Sequence, residues 1–142
     1  MKPSQECLIF AMSEEDCRLK IYPDLNGFPT VGWGHKLTTD DVTSGRYAGG
    51  ISQAEADALF TSDAQPVTDQ VNGLGMILTQ GQFDCLWDFT FNEGISRTHT
   101  MLDHGIDQVP VQLPRWKYAG GVVQPGLVTR RAQELAWWMA GE

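Results

Sequence analysis

Two carboxylates lie close together in the chain and could cleave a glycosidic bond. Glu15 follows an apolar run that is free of Gly and Pro, and Asp24 lies nine residues later in a turn cluster. Glycosidic bond cleavage needs one carboxylic acid to protonate the leaving oxygen and a second carboxylate on the other side of the sugar. Glu15 and Asp24 could form that pair, and the hydroxyl of Thr30 lies in the same stretch.

The apolar run before Glu15 predicts a helix over about residues 4–15. Leu8, Ala11 and Glu15 fall at positions i, i+3 and i+7, so they share one stripe of that helix. A carboxyl beside an apolar stripe loses water, which favours its neutral form and suits it to act as an acid. Helical spacing suits Glu14 equally well, so it leaves both glutamates open.

Beyond this helix, the pattern predicts a β-hairpin. Arg18–Tyr22 is typical of one strand, and Phe28–Gly34 alternates with a period of two. Asn26-Gly27 between them is a strong hairpin signal, because both residues tolerate positive φ. Asp24 would then lie at the hairpin tip, folded back toward the helix end that carries Glu15.

The spacing of these residues resembles that of the phage-type lysozymes, the N-acetylmuramidases or endolysins that cut bacterial peptidoglycan. The family's signature is a Glu, eight residues, an Asp, five residues and a Thr, which Glu15, Asp24 and Thr30 fit. That match selects Glu15 over Glu14. The resemblance covers nearly the whole chain through further segments, which are Arg18–Tyr22, Gly32–His35, Leu78–Asp84, Phe89–Gly94, Arg115–Gly121 and Pro125–Arg131.

This resemblance implies a mainly α (α+β), two-lobed lysozyme-like fold with a small β-hairpin lobe and a helical C-terminal lobe. Residues 1–142 would form a single catalytic domain. The hairpin lobe would cover about residues 16–50, and the helical lobe about residues 67–142 together with the N-terminal helix. The segments Arg115–Gly121 and Pro125–Arg131 would correspond to the family's C-terminal helices, and Ile95–Pro114 departs from the family because it is short, polar and interrupted by Gly and Pro.

The resemblance also implies an activity and roles for individual residues. The chain would hydrolyse the β-1,4 bond between N-acetylmuramic acid and N-acetylglucosamine, with inversion. Glu15 would be the general acid and Asp24 the base that activates water. Thr30 would be the second residue that binds and orients that water. His35, as partner of a buried acid, and Asn92 would have structural roles, and the motifs identify no substrate-binding residue.

Two other functions fit part of this pattern. A lytic transglycosylase acts on the same substrate but dispenses with the second carboxylate, so Asp24 together with Thr30 argues against it. A non-catalytic module of the same fold would bind the wall without cleaving it, and the complete set of three residues argues against that function.

Size and composition fit a small soluble enzyme. No apolar run reaches the roughly 18 residues that span a membrane, and residues 1–12 lack the basic start and apolar core of a signal peptide. We therefore expect a chain that is made in the host cytoplasm and does not insert stably into membranes, and we also expect a monomer. The resemblance adds export through a holin-made lesion, followed by action in the periplasm or cell wall.

Cysteine spacing and net charge exclude several other classes. The three cysteines have no paired metal spacing, so we expect free thiols with Cys7 and Cys85 in the core, and we assign no metal and no cofactor. The formal net charge of −8 argues against nucleic-acid binding, which requires a positive surface. Basic residues cluster in the last third, where we expect four of them to gather near the substrate: Arg115, Lys117, Arg130 and Arg131.

Two capping boxes and one C-terminal pattern predict the remaining helices. Ser52 with Glu55 begins a helix that runs past Val67 and bends or breaks near Pro66. A second box, Thr79 to Gln82, precedes a helix that ends at Gly94, with Trp87 and Phe91 in the core. The last helix follows Pro125-Gly126 and ends near Met139. We expect its arginines at the exposed or interlobe side, and Leu127, Ala132, Leu135, Ala136 and Met139 on the core.

Overall fold

The computed structural model describes residues Met1–Gly141 and is mainly helical, with two small antiparallel sheets. This confirms the predicted mainly α (α+β) class. The helices are α1 (Gln5–Glu14), α2 (Thr39–Ser44), α3 (Gln53–Asn72), α4 (Gln80–Glu93), α5 (Ile95–Leu102), α6 (Val109–Gln112) and α7 (Pro125–Met139). The strands are β1 (Arg18–Pro23), β2 (Pro29–Gly32), β3 (His35–Lys36), β4 (Tyr118–Ala119) and β5 (Val122–Val123), and short 3₁₀ helices cover Ile106–Gln108 and Leu113–Arg115.

Contacts within the chain divide it into two compact units. The hairpin unit is Met12–Gln65, which contains the β1-β2-β3 sheet, α2 and the first part of α3. The helical unit is Met1–Ala11 together with the chain from Pro66 onward, which contains α4 to α7 and the β4-β5 hairpin. Glu15, Asp24 and Thr30 all belong to the hairpin unit.

The sheet of the hairpin unit has the order β1-β2-β3, with both pairs antiparallel. The predicted first strand is confirmed, but the predicted return strand over residues 28–34 is too long. β2 ends at Gly32 because Gly32 and Gly34 have φ of +66° and +79°, which an extended strand does not accommodate. The chain turns there and adds β3, a third strand that the sequence pattern did not predict.

The two predicted capping boxes are present. The amide of Glu55 donates to Ser52 Oγ at 3.1 Å, and the amide of Gln82 donates to Thr79 Oγ1 at 3.2 Å. The helix that begins at the first box is not broken at Pro66, although the boundary between the two units falls there.

The core of the helical unit surrounds α4, which is buried from Phe83 to Thr90 and packs against α5 and α7. Trp87 is fully buried and its ring stacks on Phe91, with the centroids 5.3 Å apart, which confirms the predicted core position of this tryptophan. The thiols of Cys7 and Cys85 are free and buried, as predicted.

The predicted faces of α7 are wrong. Arg130 and Arg131 are 3% and 1% exposed, whereas Ala132, Ala136 and Met139 lie on the exposed side. Both arginines can be buried because each of them meets a carboxylate, and a buried charge is tolerated when it is paired. A prediction from hydropathy treats every arginine as exposed and therefore assigns the opposite face.

Two further segments of the helical unit differ from the sequence prediction. Arg115–Gly121 was matched to helices but leads into the β4-β5 hairpin, whose turn contains Gly120 and Gly121 with φ of +57° and +76°. Two successive positive φ angles suit a Gly-Gly turn. Ile95–Pro114, despite its Gly and Pro residues, forms α5, α6 and short 3₁₀ turns.

Candidate active site

Asp24 begins the loop that connects β1 to β2. Its amide donates to the carbonyl of Phe28 at 2.8 Å, and the amide of Gly27 donates to the Asp24 carbonyl at 2.9 Å. Gly27 has φ of +83°, and no residue other than glycine among those described has a positive φ. The hairpin prediction at Asn26-Gly27 is therefore confirmed, but only the glycine uses the left-handed conformation.

Three donors hold the side chain of Asp24. Its Oδ1 accepts hydrogen bonds from the amides of Asn26 at 2.9 Å and Phe28 at 2.8 Å, and its Oδ2 accepts one from Lys36 Nζ at 2.5 Å. Burial alone would raise the pKa of Asp24, but the hydrogen bonds from Lys36, Phe28 and Asn26 outweigh it and lower the pKa below its usual value. Asp24 is therefore a carboxylate at neutral pH, the form that a general base needs.

Thr30 is joined to Asp24 through one backbone carbonyl. Its side chain is 2% exposed, and its hydroxyl donates to the Phe28 carbonyl oxygen at 2.9 Å. The same oxygen accepts the hydrogen bond from the Asp24 amide. Because the hydroxyl proton is already used, the Thr30 oxygen can serve a water only as an acceptor.

Glu15 directly follows the last residue of α1, and its amide donates to the carbonyl of Met12 at 3.1 Å. The backbone of Gly34 packs against its carboxyl group. A Cβ at position 34 would lie 2.5 Å from Glu15 Oε2 and 2.8 Å from its Cδ, closer than non-bonded atoms approach. The turn after β2 therefore favours glycine for its positive φ, and a Cβ there would displace the Glu15 carboxyl from its present position.

Tyr22 lies in the electrostatic field of both candidate catalytic carboxylates. Burial raises its pKa first, and the negative charge of Glu15 raises it further, with a smaller contribution from Asp24. Tyr22 pairs with Thr30 across β1 and β2, so these side chains lie on one face of the sheet.

His35 and Asn92 both have structural partners. His35 Nδ1 lies 2.8 Å from an oxygen of Asp63, and the hydrogen bond with Asp63 raises the pKa of His35. Asp63 is half-buried, whereas the sequence predicted a buried acid. In the helical unit, Asn92 Oδ1 accepts a hydrogen bond from Arg131 Nη2 at 2.6 Å.

Sequence reasoning missed two residues that touch the candidate catalytic carboxylates, namely Lys36 and Gly34. The signal for Gly34 was its place in Gly32-Trp33-Gly34, where two glycines indicate a turn rather than a continued strand. Lys36 had no such signal, because its contact with Asp24 depends on the unpredicted strand β3.

The part of the chain that the structure describes contains no group of three or more His, Cys, Asp or Glu side chains that could hold a metal ion. None of the helices within Met1–Gly141 is both long enough and apolar enough to cross a membrane.

Comparisons with known proteins identify a family for this chain. Residues 12–134 match the family described as "Phage lysozyme", a range that includes Glu15, Asp24 and Thr30. The chain is 33% identical to an endolysin of Bacillus phage PZA, over 99% of this chain and 56% of that protein. It is 34% identical to a SAR-endolysin of bacteriophage PS34, over 87% of this chain and 77% of that protein.

The fold is similar to that of the muramidase domain of SpmX from Asticaccaulis excentricus, with a TM-score of 0.77, 28% identity and 97% of each chain covered. This chain spans only about half the length of the endolysin of Bacillus phage PZA, as the 56% coverage states. The sequence match covers most of the chain and the fold agrees with it, and the chain therefore belongs to the phage lysozyme family.

Proposed function

We propose that this chain is the catalytic domain of an endolysin, which hydrolyses the β-1,4 bond between N-acetylmuramic acid and N-acetylglucosamine in peptidoglycan, with inversion. One observation carries the proposal. Phe28 contacts both residues: its carbonyl accepts from the hydroxyl of Thr30 and the amide of Asp24, and its amide donates to the Asp24 carboxylate, in the same unit as Glu15. The relatives named endolysin and muramidase support the same substrate.

In this proposal each of the three residues handles one hydrogen. Glu15 donates its proton to the leaving glycosidic oxygen as the bond to the sugar breaks. A water attacks the sugar carbon from the opposite side and gives one proton to Asp24, while its other hydrogen is held by the Thr30 oxygen. Solvent then returns a proton to Glu15 and removes one from Asp24, which restores the enzyme.

The first experiment is digestion of purified peptidoglycan, followed by mass spectrometry of the soluble products. Hydrolysis gives hydrated reducing ends, and we expect these alone. Anhydro ends would instead indicate a lytic transglycosylase. Binding to the wall in a pull-down, without any soluble product, would indicate a non-catalytic module.

Stereochemistry tests the assignment of Asp24. An inverting enzyme needs its two carboxyl groups about 6.5 to 9.5 Å apart in the substrate complex, to leave room for the water. NMR of the first-formed anomer should show inversion. Retention would show that Asp24, or another group, acts as a nucleophile.

We also propose that the domain acts as a monomer on the wall, outside the cytoplasmic membrane, and gains access through a holin-made lesion. Several relatives are named SAR-endolysin, so a membrane-linked route is the alternative. Cells that express this chain in the cytoplasm should lyse only when their membrane is permeabilised. Lysis without permeabilisation would contradict the lesion route, and analytical ultracentrifugation tests the monomer.

A further inference from the structure

We propose that Lys36 is a positioning residue for Asp24, which fixes the carboxylate so that one acceptor position on Oδ2 remains for the attacking water. The inference rests on the proposed function, because it takes Asp24 as the general base. It adds a fourth side chain to the three residues of the family signature.

The first argument is a count of acceptor positions on Asp24. A carboxylate offers about four lone-pair positions, two on each oxygen. The amides of Asn26 and Phe28 use both positions on Oδ1, and Lys36 uses one on Oδ2. One position on Oδ2 is left, so the direction in which Asp24 can accept a proton is set by where Lys36 lies.

The second argument is the placement of Lys36 by the sheet. Thr30 pairs with Tyr22 on one side and with Lys36 on the other, so the three side chains form a row on one face. From the end of this row, the long side chain of Lys36 reaches the hairpin tip. Its Nζ lies 5.9 Å from the centre of the Phe28 ring, a distance at which the ring attracts the ammonium.

The third argument is charge. The ammonium of Lys36 on β3 contacts the Asp24 carboxylate, and the phenol of Tyr22 on β1 lies in the electrostatic field of both Asp24 and Glu15. The ammonium is the only one of these that stabilises a carboxylate by its charge. A neutral side chain at position 36 removes this positive charge and leaves the Asp24 carboxylate with the hydrogen bonds from the two loop amides.

The consequence is a defined change in the pH profile. Lys36 holds the pKa of Asp24 low, so its removal raises that pKa. Asp24 must be ionised to act as a base, and the acid limb of the kcat/KM profile therefore moves to higher pH. At a fixed pH below the acid limb, kcat/KM falls about tenfold for each pH unit by which the limb moves upward.

The experiment compares Lys36→Met with Lys36→Arg, with Lys20→Met as the matched control. Lys20 is an exposed lysine on β1 of the same sheet, so its loss changes the net charge equally. We expect Lys36→Met to move the acid limb upward and to lower kcat more than it changes KM. In Lys36→Arg the acid limb should lie close to its wild-type pH, because the positive charge is kept. In Lys20→Met the acid limb should not move.

A second readout does not depend on activity. The carboxyl carbon of Asp24, followed by ¹³C NMR against pH, should titrate at higher pH in Lys36→Met than in the wild type. An unchanged titration with an unchanged acid limb would overturn the inference, as would an equal shift in the Lys20→Met control.

Asp24→Asn separates the two proposals. If this variant keeps wild-type activity, Asp24 is not the base and the proposed mechanism fails. If it is inactive while Lys36→Met shows wild-type profiles, the mechanism stands and only the role of Lys36 is rejected. Circular dichroism of each variant checks that the fold is retained.

Discussion

Each unit of the molecule contains an aspartate paired with a cationic side chain, and the two pairs differ in almost every physical respect. In the hairpin unit, the side chains of Lys36 and Asp24 are 64% and 16% exposed and share one hydrogen bond. In the helical unit, those of Arg130 and Asp88 are 4% and 0% exposed. Arg130 donates to both oxygens of Asp88, each at 2.8 Å.

The difference separates a structural pair from one that can take part in chemistry. Both oxygens of Asp88 accept from Arg130, which ties α7 to α4, and the side chain of Asp88 is 0% exposed. Asp24 keeps an open acceptor position and is reached by solvent. A paired aspartate is therefore a candidate base only when substrate or water can reach an open acceptor position on it, and this distinction is not visible in residue type.

The largest effect that we expect concerns the stability of the buried pair. Asp88→Asn leaves the charge of Arg130 buried without its carboxylate, and breaking such a pair costs about 3–5 kcal/mol. Urea unfolding of the variant should show this loss of unfolding free energy. Asp24→Asn is the matched control in the exposed pair, for which we expect a change within about 1 kcal/mol. Equal effects of both variants would contradict the comparison.

The next effect concerns activity in the hairpin unit. Glu15→Gln keeps the size and hydrogen bonding of the side chain but cannot supply the proton, so lytic activity should fall by at least about a hundredfold. The thermal midpoint should remain close to that of the wild type. Glu14→Gln is the neighbouring control and should lose far less activity in a peptidoglycan turbidity assay. The reverse order of the two variants would reject the assignment of Glu15.

A smaller loss of activity should follow from crowding the acid. Gly34→Ala places a methyl group against the Glu15 carboxyl, where a Cβ would lie 2.5 Å from Oε2. A displacement of about 1 Å in a catalytic group can lower the rate by up to about a hundredfold. Gly120→Ala in the β4-β5 hairpin is the control, because its φ is also positive but no atom lies within 4 Å of its Cβ. Equal losses of kcat would mean that backbone strain, not the contact, is responsible.

The ion pair of His35 with Asp63 predicts a pH dependence of stability. Asp63 raises the pKa of His35 in the folded state above its unfolded value of about 6.5. The stabilisation is therefore complete below the unfolded pKa and is lost as the pH rises through the folded pKa. The difference in thermal midpoint between the wild type and His35→Asn should shrink between about pH 5.5 and pH 8.5. A constant difference over this range would show that folding does not raise the pKa of His35.

The smallest effect concerns salt. Arg130 and Arg131 are buried, so they cannot attract an anionic wall as the sequence predicted, and only Arg115 and Lys117 remain accessible in that cluster. With a net charge of −8, repulsion from the wall should dominate. The initial rate on intact wall should rise or stay level between about 0.01 and 0.1 M salt, as the Debye length falls from about 30 to about 10 Å. A steep fall would mean that a local basic surface governs the encounter.

Local signals explain what the sequence predicted well. The capping boxes at Ser52 and Thr79 involve residues three positions apart, so their hydrogen bonds can be predicted without knowledge of the fold. The loop that holds Asp24 is equally local, because its donors lie two and four residues away. The identities of Glu15, Asp24 and Thr30 came from a spacing signature, and their roles remain predictions for the variants above.

Long-range pairing explains what the sequence did not predict. The buried face of α7 depends on Asp88, which is 42 positions from Arg130, and no periodic pattern indicates such a partner. The contact between Lys36 and Asp24 spans 12 positions and requires β3, which forms only because Gly32 and Gly34 end β2 early. In both cases the position of a charged side chain depends on a partner residue that belongs to another secondary-structure element.

The Phe28 carbonyl accepts two hydrogen bonds, one from the Asp24 amide and one from the Thr30 hydroxyl. This arrangement limits how the loop can vary among related sequences. One inserted or deleted residue between Asp24 and Phe28 would move that oxygen away from the Asp24 amide and the Thr30 hydroxyl at once. It would also move the Phe28 amide away from Asp24 Oδ1. The side chain of Leu25, in contrast, is 78% exposed and contributes to none of these bonds. Natural variation should therefore change the residue type at position 25 freely, while the loop keeps its length.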